Sequence, residues 1–531
     1  METPVLLTLL TLTLSLCLYY GGYIRSPSSG TLPLPPGPGL IAGLTALIQQ
    51  RDLASTFHAW SQTYGPVVHL QVGTRSFIIL GTRQVAQELL EKRASIYSSR
   101  PPSVWLDNYL HKGLAAAFMP YGHEWRLNRR LHMSLLNFQC TNAYQHLQDI
   151  QSKQLMYSFL PSADSRSSSS SSSSSKTPKF SDLFYQYTAN VMFTLVYGKG
   201  QGRSDSDHMR LEQINEMAVF ILQATSFWTN LLDLFPILDR LIPARSLLTW
   251  RTKASALHEQ TKSVYQECTD SALSAPCWNW SHEITTKSDI MASLPWDHVC
   301  YSLGELYVAG IHTTKMVLEN FVLASLLHPE TVEAGQRELD AVVGASRLPT
   351  FADIPALPYL DAIISELLRW RPISPIGVPH AVIQEDDYMG YRIPKGATVI
   401  ANQWGFNMDE EVFEEPQAFQ PQRYVEDPGL PVSAFGFGRR LCPGYRLARA
   451  SLFIVVARLL WGFDIVRDEM GESEGDAPPL TKHSDPAAVK AKFSLRSEDR
   501  KKIIEDEWDT REKDERVILE EVRARMVGGS R

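Results

Sequence analysis

The chain has only six cysteines in 531 residues, and no two of them form a C-x-x-C pair. Cys17, Cys140, Cys268, Cys277, Cys300 and Cys442 are scattered. Such spacing supplies neither a zinc site nor a disulfide framework and suits a reducing compartment. A long basic run is also missing, and the formal net charge is -7. Nothing therefore tracks a phosphate backbone, and no nucleic-acid partner is expected. No flavin or dinucleotide fingerprint occurs, so any electrons the protein uses must come from another protein. What is present is an ordinary globular composition, 44% hydrophobic and 21% charged, which excludes a disordered chain and can fill a large core.

Pro4 to Ile24 is apolar, Thr-rich and free of charge, long enough for one helical crossing of a bilayer. Glu2 stands where a signal peptide carries positive charge, and no small-x-small cleavage site follows. The segment therefore reads as an uncleaved anchor. Arg25 follows the span, which places the bulk of the chain on the cytoplasmic face of a single-pass protein of the endoplasmic-reticulum membrane. The expected organisation is an anchor over 1–25, a Pro/Gly-rich linker over 26–45, a catalytic domain over 46–496 and a charged helical tail over 497–531. Inside the domain, 164–178 carries the serine run Ser167 to Ser175, which cannot bury apolar area and is expected to be a disordered insertion. The tail, with Ile503, Ile504, Trp508, Val517, Ile518 and Val522 as its main apolar positions, is expected to pack lightly on the body. The sequon Asn279-Trp280-Ser281 matters only in a secretory lumen and is expected to be unused.

Val67 to Leu70 and Phe77 to Leu80 are β-prone runs around Gly73, the pattern of a hairpin or small sheet. Most of the rest reads as helix. Trp296 to Leu327 is preceded by Pro295, has Asp297 in its first turn and is ended by His328-Pro329, which predicts one helix about 45 Å long. A mainly α domain with a minor β-sheet region follows.

The most specific segment is Phe435-Gly436-Phe437-Gly438-Arg439-Arg440-Leu441-Cys442-Pro443-Gly444, which matches F-x-x-G-x-R-x-C-x-G at every fixed position. It closely resembles the cysteine loop of the cytochrome P-450 superfamily. In that resemblance Cys442 is the axial thiolate ligand of a haem b iron, with Phe435, Gly438 and Gly444 shaping the loop. Gly438 and Gly444 are expected to let backbone and macrocycle approach closely. The helix from Tyr445 to Leu460 offers its N-terminal dipole to the sulfur. A thiolate donates electron density to iron and promotes O-O cleavage.

Other motifs fall into the same order. Glu366-Leu367-Leu368-Arg369 is E-x-x-R, both charges on one helical face, and Phe419 to Tyr424 resembles the family's P-x-R segment. The resemblance implies a buried structural network of Glu366, Arg369 and Arg423. Trp125 and Arg129 stand as W-x-x-x-R, and with Arg440, His380 and Arg100 they match positions that contact haem propionates. Ala309-Gly310-Ile311-His312-Thr313-Thr314 resembles the family's A-G-x-[D/E]-T-T. By that resemblance Gly310 makes room for dioxygen and Thr313 serves it with protons. Histidine replaces the usual acid at 312, and either takes over proton delivery, marks a reaction that needs less of it, or points away.

The resemblance implies an oxygen-inserting monooxygenase of mainly α cytochrome P-450 fold, similar to fungal enzymes that oxidise polyketides, terpenoids or alkaloids. NADPH and flavins would act only through a separate NADPH-cytochrome P-450 reductase, docking on a basic face with Arg129, Arg130, Arg439 and Arg446. Ser103 to Phe118, Phe220 to Phe235, Leu306 to Thr313 and Ile373 to Val378 are rich in Phe, Trp, Leu and Ile and predict a pocket for an apolar small molecule. The competing reading is a haem-thiolate isomerase or dehydratase, or a non-catalytic haem-binding protein.

Overall fold

A computed structural model describes residues 32–39, 52–72, 75–160, 179–199, 249–468 and 483–528, with isolated positions 42, 43, 45, 213, 214, 232–234 and 239. The anchor, the serine run and nearly all of Phe220 to Phe235 lie outside the described residues. Among the described residues no helix is long and apolar enough to cross a membrane.

Helix α1 (Leu53–Tyr64) opens on Asp52, whose carboxylate accepts from the Ser55 amide at 3.1 Å. Such a cap satisfies an amide that the first helical turn leaves without a partner. Strands β1 (Val67–Val72) and β2 (Arg75–Leu80) pair antiparallel with Val67 opposite Leu80. The pairing expected from two β-prone runs is present and extends two residues further on each arm. Along the chain come α2 (His123–Leu136), α3 (Phe138–Ser158), α4 (Phe180–Tyr197) and α5 (Thr249–Leu273). Then follow α6 (Trp296–Leu327), α7 (Pro329–Val342) and α8 (Pro358–Trp370). Strands β3 (His380–Ala381), β4 (Asp386–Tyr388), β5 (Tyr391–Ile393) and β6 (Thr398–Ala401) precede α9 (Tyr445–Gly462). The chain continues with β7 (Phe463–Arg467), β8 (Ala491–Leu495), α10 (Glu498–Thr510) and α11 (Glu515–Gly528). The largest sheet has the order β1-β2-β6-β3, in which β6 runs parallel to β2 and antiparallel to β3.

Helix α6 has the predicted bounds. Its first turn is tied to α5 by a Lys262–Asp297 ion pair at 2.6 Å, and Pro329 starts the next helix immediately after the His328 cap. Leu303, Leu318, Val322 and Leu323 of α6, Phe184, Leu195 and Val196 of α4, and Val456, Leu459 and Leu460 of α9 are fully buried in one apolar core. This core fixes α6 against the helix that follows Cys442.

The tail packs more firmly than its charge density suggests. Ile504, Ile518, Leu519 and Val522 belong to the main core, and Trp508 stacks on Tyr157 of α3 at 5.0 Å. His146 and Lys153 of α3 pair with Glu521 and Glu507. The charged residues of the two helices are the outer face of an amphipathic pair. Asn279 is fully buried, donates to the Ala272 and Cys277 carbonyls and caps the next helix through the His282 amide. Its side chain is inaccessible in the folded chain, so the sequon offers no acceptor.

Candidate active site

The cysteine loop is wound by its own backbone. Gly436 donates to the Ser433 carbonyl at 3.1 Å, Leu441 to Gly438 at 3.1 Å and Cys442 to Phe435 at 2.9 Å. Helix α9 starts three residues beyond Cys442, with Gly444 as its cap. Burial pushes the Cys442 thiol up, while the Gly444 amide and the charge of Arg129 pull it back toward the thiolate. Those two groups are the donor and the cation that a sulfur anion requires.

The two motif glycines do different things. Gly444 lines the cavity above Cys442, and a Cβ built on it would meet nothing within 4 Å. This position thus leaves a clear surface for a flat group. Gly438 does not line the cavity. It has φ +55°, and a Cβ there would lie 2.1 Å from the Leu90 carbonyl oxygen. The expectation that Gly438 admits a macrocycle is corrected: it lets the loop seat on the helical segment Gln87–Lys92.

The cavity encloses about 430 Å³ and is bounded by α2, α4, α6, the loop before β3 and the cysteine loop. Trp125, Arg129, Arg440, His380 and Arg100 all line it, so the structure brings the whole expected cationic set to one place. Arg440 lies over the Trp125 ring at 4.2 Å and donates to the Ser98 and Met119 carbonyls, each at 2.7 Å. Burial, reinforced by Arg100 and Arg129, pulls its guanidinium down to about 8. Arg100 donates to the Ala117, Val378 and Pro379 carbonyls. His380 shares a 2.8 Å bond with the Tyr97 carbonyl, and burial next to Arg100 holds it neutral, down to about 3. Among the described residues no carboxylate pairs with Arg100, Arg129 or Arg440. Three crowded guanidiniums without an acid lose desolvation and mutual-repulsion energy unless an anion joins them. Beside an accessible cysteine and the clear face at Gly444, this arrangement fits the two propionates of an iron porphyrin.

Helix α6 forms the opposite wall with Glu305, Leu306, Ala309, Gly310, Thr313, Thr314 and Val317. The Thr313 hydroxyl donates to the Ala309 carbonyl at 2.7 Å. Gly310 borders the cavity, yet a Cβ on it would lie 2.5 Å from the Met192 sulfur. Its missing side chain also suits the close crossing of α4 and α6. His312 does not line the cavity. Its ring lies 6.1 Å from that of Tyr185, and burial followed by Lys315 lowers its basicity against the opposing pull of Glu319. The alternative that it points away is the one the geometry displays.

Of the predicted pocket stretches, Ala116 and Ala117, Leu306 to Thr313, and Ile373 to Val378 contribute lining residues. Sequence reasoning missed the contribution of α4, through Thr188, Val191 and Met192, and missed Glu305. Glu305 accepts from the Ala116 amide at 2.8 Å and from Ala117 at 3.2 Å. Burial pushes its carboxyl up to about 7. One signal was available: Glu305, Ala309 and Thr313 repeat every four residues, so a single helical face carries all three.

Glu366, Arg369 and Arg423 lie away from the cavity in one buried network. Arg369 grips both Glu366 oxygens at 2.6 Å and donates to the Asn407, Pro416 and Ala418 carbonyls. Arg423 approaches Glu366 at 3.4 Å and donates to the Glu414 carbonyl at 2.6 Å. The Gln420 amide completes the Glu366 shell at 2.8 Å. This network ties α8 to the irregular segment that leads into the cysteine loop.

Comparison with known proteins agrees with this geometry. The cytochrome P-450 family model matches residues 33–491. The chain is similar to cytochrome P-450 monooxygenase aneD of Aspergillus aculeatus, 39% identical over 99% of this chain and 100% of that one. It is 37% identical to cytochrome P-450 monooxygenase drtD of Aspergillus calidoustus, over 92% of this chain and 91% of the relative. A zebra fish cytochrome P-450 solved with abiraterone shares the fold with a TM-score of 0.65 at 24% identity, covering 84% of this chain and 100% of that one. With its cysteine loop, its cationic cavity and most of its length matched, the chain belongs to the cytochrome P-450 family.

Proposed function

We propose that the chain is a haem-thiolate monooxygenase that oxidises an apolar small molecule of fungal secondary metabolism with dioxygen and NADPH-derived electrons. The observation that carries this reading is one cavity holding Cys442 on one wall, Thr313 on the other and, beside them, three guanidiniums that have no acid partner among the described residues. The chemistry that haem b would supply there is thiolate-supported dioxygen activation for oxidation of a substrate C-H bond. Cys442 would ligate that iron, with Arg129, Arg440, Arg100, His380 and Trp125 holding the propionate side. Thr313 Oγ1 carries the exchangeable proton on the opposing wall, and the Ala309 carbonyl keeps that hydroxyl on the cavity side of α6. Leu306, Ile373 and Val378 exclude water from the reacting region and favour an apolar substrate.

Relatives of full-length similarity that are named monooxygenases favour oxygen insertion over the isomerase, dehydratase or non-catalytic alternatives. Electrons would come from an NADPH-cytochrome P-450 reductase. Exposed Arg130 and Arg439, with Arg446 near them in sequence to the loop, suit an acidic partner, whereas Arg129 faces inward. The uncharged stretch from Pro4 to Ile24 would anchor the chain in the endoplasmic-reticulum membrane with its catalytic domain facing the cytoplasm.

The decisive experiment compares the native chain with Cys442→Ala. The native protein should give the thiolate carbon-monoxide difference spectrum and substrate-dependent NADPH consumption with a reductase, and the variant should give neither. Retention of pigment and full turnover by Cys442→Ala would sink the proposal. A thiolate spectrum with product formation but no NADPH consumption would favour the isomerase or dehydratase reading.

A further inference from the structure

Among the described residues that line the cavity, Glu305 is the one acid. Its carboxylate is held by two backbone amides, and among the described residues no Lys, Arg or His forms an ion pair with it. The groups facing it from the packed elements are Tyr265 of α5 and Tyr301 of α6, and burial together with Glu305 pushes both phenols up so that they stay neutral. Behind Tyr301, His111 is bonded to its hydroxyl at 2.8 Å, and burial brings that ring down to about 4. Among the described residues the cations that line the cavity are Arg100, Arg129 and Arg440 of the propionate cluster, and Arg100 and Arg440 donate to backbone carbonyls, those of Ala117 and Ala116 included. A buried carboxylate that meets no cation is a costly thing to keep in an apolar wall. Two amides stabilise it in part, and the residue lines the cavity in which a substrate must lie.

We propose that Glu305 is the specificity anchor of this cavity and that the substrate is an apolar molecule carrying a cationic nitrogen. This inference deepens the monooxygenase reading and rests on it. Glu305, Ala309 and Thr313 share one face of α6, so the carboxylate is offset from Thr313 by roughly 12 Å of helix rise. A nitrogen held at Glu305 directs the carbon at the far end of the substrate toward the oxygen-activating end of the wall. The substrate cation would be desolvated on entry, and the fixed carboxylate replaces its lost hydration. An uncharged analogue of the same shape receives no such compensation and leaves the carboxylate unpaired.

The test uses the full-length, haem-loaded protein and a matched pair of probes: phenylbutyl trimethylammonium, and the hydrocarbon in which a quaternary carbon replaces the nitrogen. A quaternary nitrogen cannot ligate iron, so the pair differs in charge alone. Equilibrium dialysis gives both dissociation constants, and taking their ratio across variants cancels detergent partitioning. At about pH 8 the native chain should prefer the cation over its isostere by about tenfold or more. Glu305→Gln should lower that preference by about tenfold, and Glu305→Asp should retain part of it. In the native chain alone the preference should shrink on lowering the pH through about 7, as Glu305 takes up its proton. A ratio unchanged in both variants, or one near unity in the native chain, overturns the proposal and leaves Glu305 as a tie for the Ala116–Ala117 loop. Loss of stability with an unchanged ratio leads to the same conclusion. Absence of the thiolate carbon-monoxide spectrum from the native chain would instead overturn the underlying enzyme reading, so the two failures are separable.

Discussion

Glu366 and Glu305 are both buried glutamates on long helices, yet their surroundings are opposite. Glu366 receives three strong donors, two of them from one guanidinium, and a second arginine lies 3.4 Å away. Glu305 receives two amides and no cation among the described residues. The first arrangement completes its own charge balance and is closed to any ligand. The second is balanced only when something enters the cavity. Two residues of the same type therefore divide between holding the fold and reading the substrate, and their partners alone tell them apart.

The largest effect should come from breaking the closed network. Glu366→Ala leaves Arg369 and Arg423 buried without a counter-charge and should cost about 3–5 kcal/mol. Haem content per chain, measured on purified protein, should fall to background, and normal haem loading would show that the network is dispensable.

Opening the comparison from the other side calls for a pH series. Glu305 binds its proton more tightly in the folded chain, about 7 against an ordinary 4.5, so the folded state holds the extra proton between those values. The stability this adds is complete below about pH 4.5 and is lost as pH rises through about 7, a change of about 3 kcal/mol. Denaturant midpoints recorded across that window should fall for the native chain and flatten for Glu305→Gln. Parallel curves would mean that Glu305 is already balanced by a group in the folded protein.

A smaller effect is expected from Gly310→Ala. The added methyl must displace Met192, which should cost about 1–3 kcal/mol in thermal or chemical denaturation. An unshifted midpoint would show that α4 yields freely and that the helix crossing does not set the glycine. The smallest effect belongs to His312. Because its ring faces Tyr185, His312→Ala should alter turnover and peroxide leakage by less than about threefold, under ~0.7 kcal/mol of barrier. A larger loss would return His312 to the proton path by way of a rearranged helix.

Local chemistry made much of this legible in the sequence. The α6 boundaries followed from proline and acid placement, the β1–β2 hairpin from two β-prone runs around a glycine, and the Arg369 grip on Glu366 from three-residue spacing on a helix. Long-range packing was not legible. The reason for Gly438 lies in the Leu90 carbonyl, nearly 350 positions earlier in the chain, and the contact of Gly310 with Met192 joins two helices far apart in sequence. Glu305 was overlooked because one acid in an apolar helix carries no motif, and its meaning depends on the neighbours that folding withholds from it. The tail was underestimated for a related cause: its charge was visible, while the apolar stripe acquires significance only against α3.

That stripe bears on where the working unit ends. The family model ends at residue 491, although the relative aneD matches 99% of this chain, and an expression boundary drawn at 491 would remove Leu519 and Val522 from beneath α3 and strip the cover from Tyr157. The denuded helix would present a greasy flank to its neighbours in solution. The packed body therefore runs to about the end of α11 at Gly528, past the last residue that the family model covers.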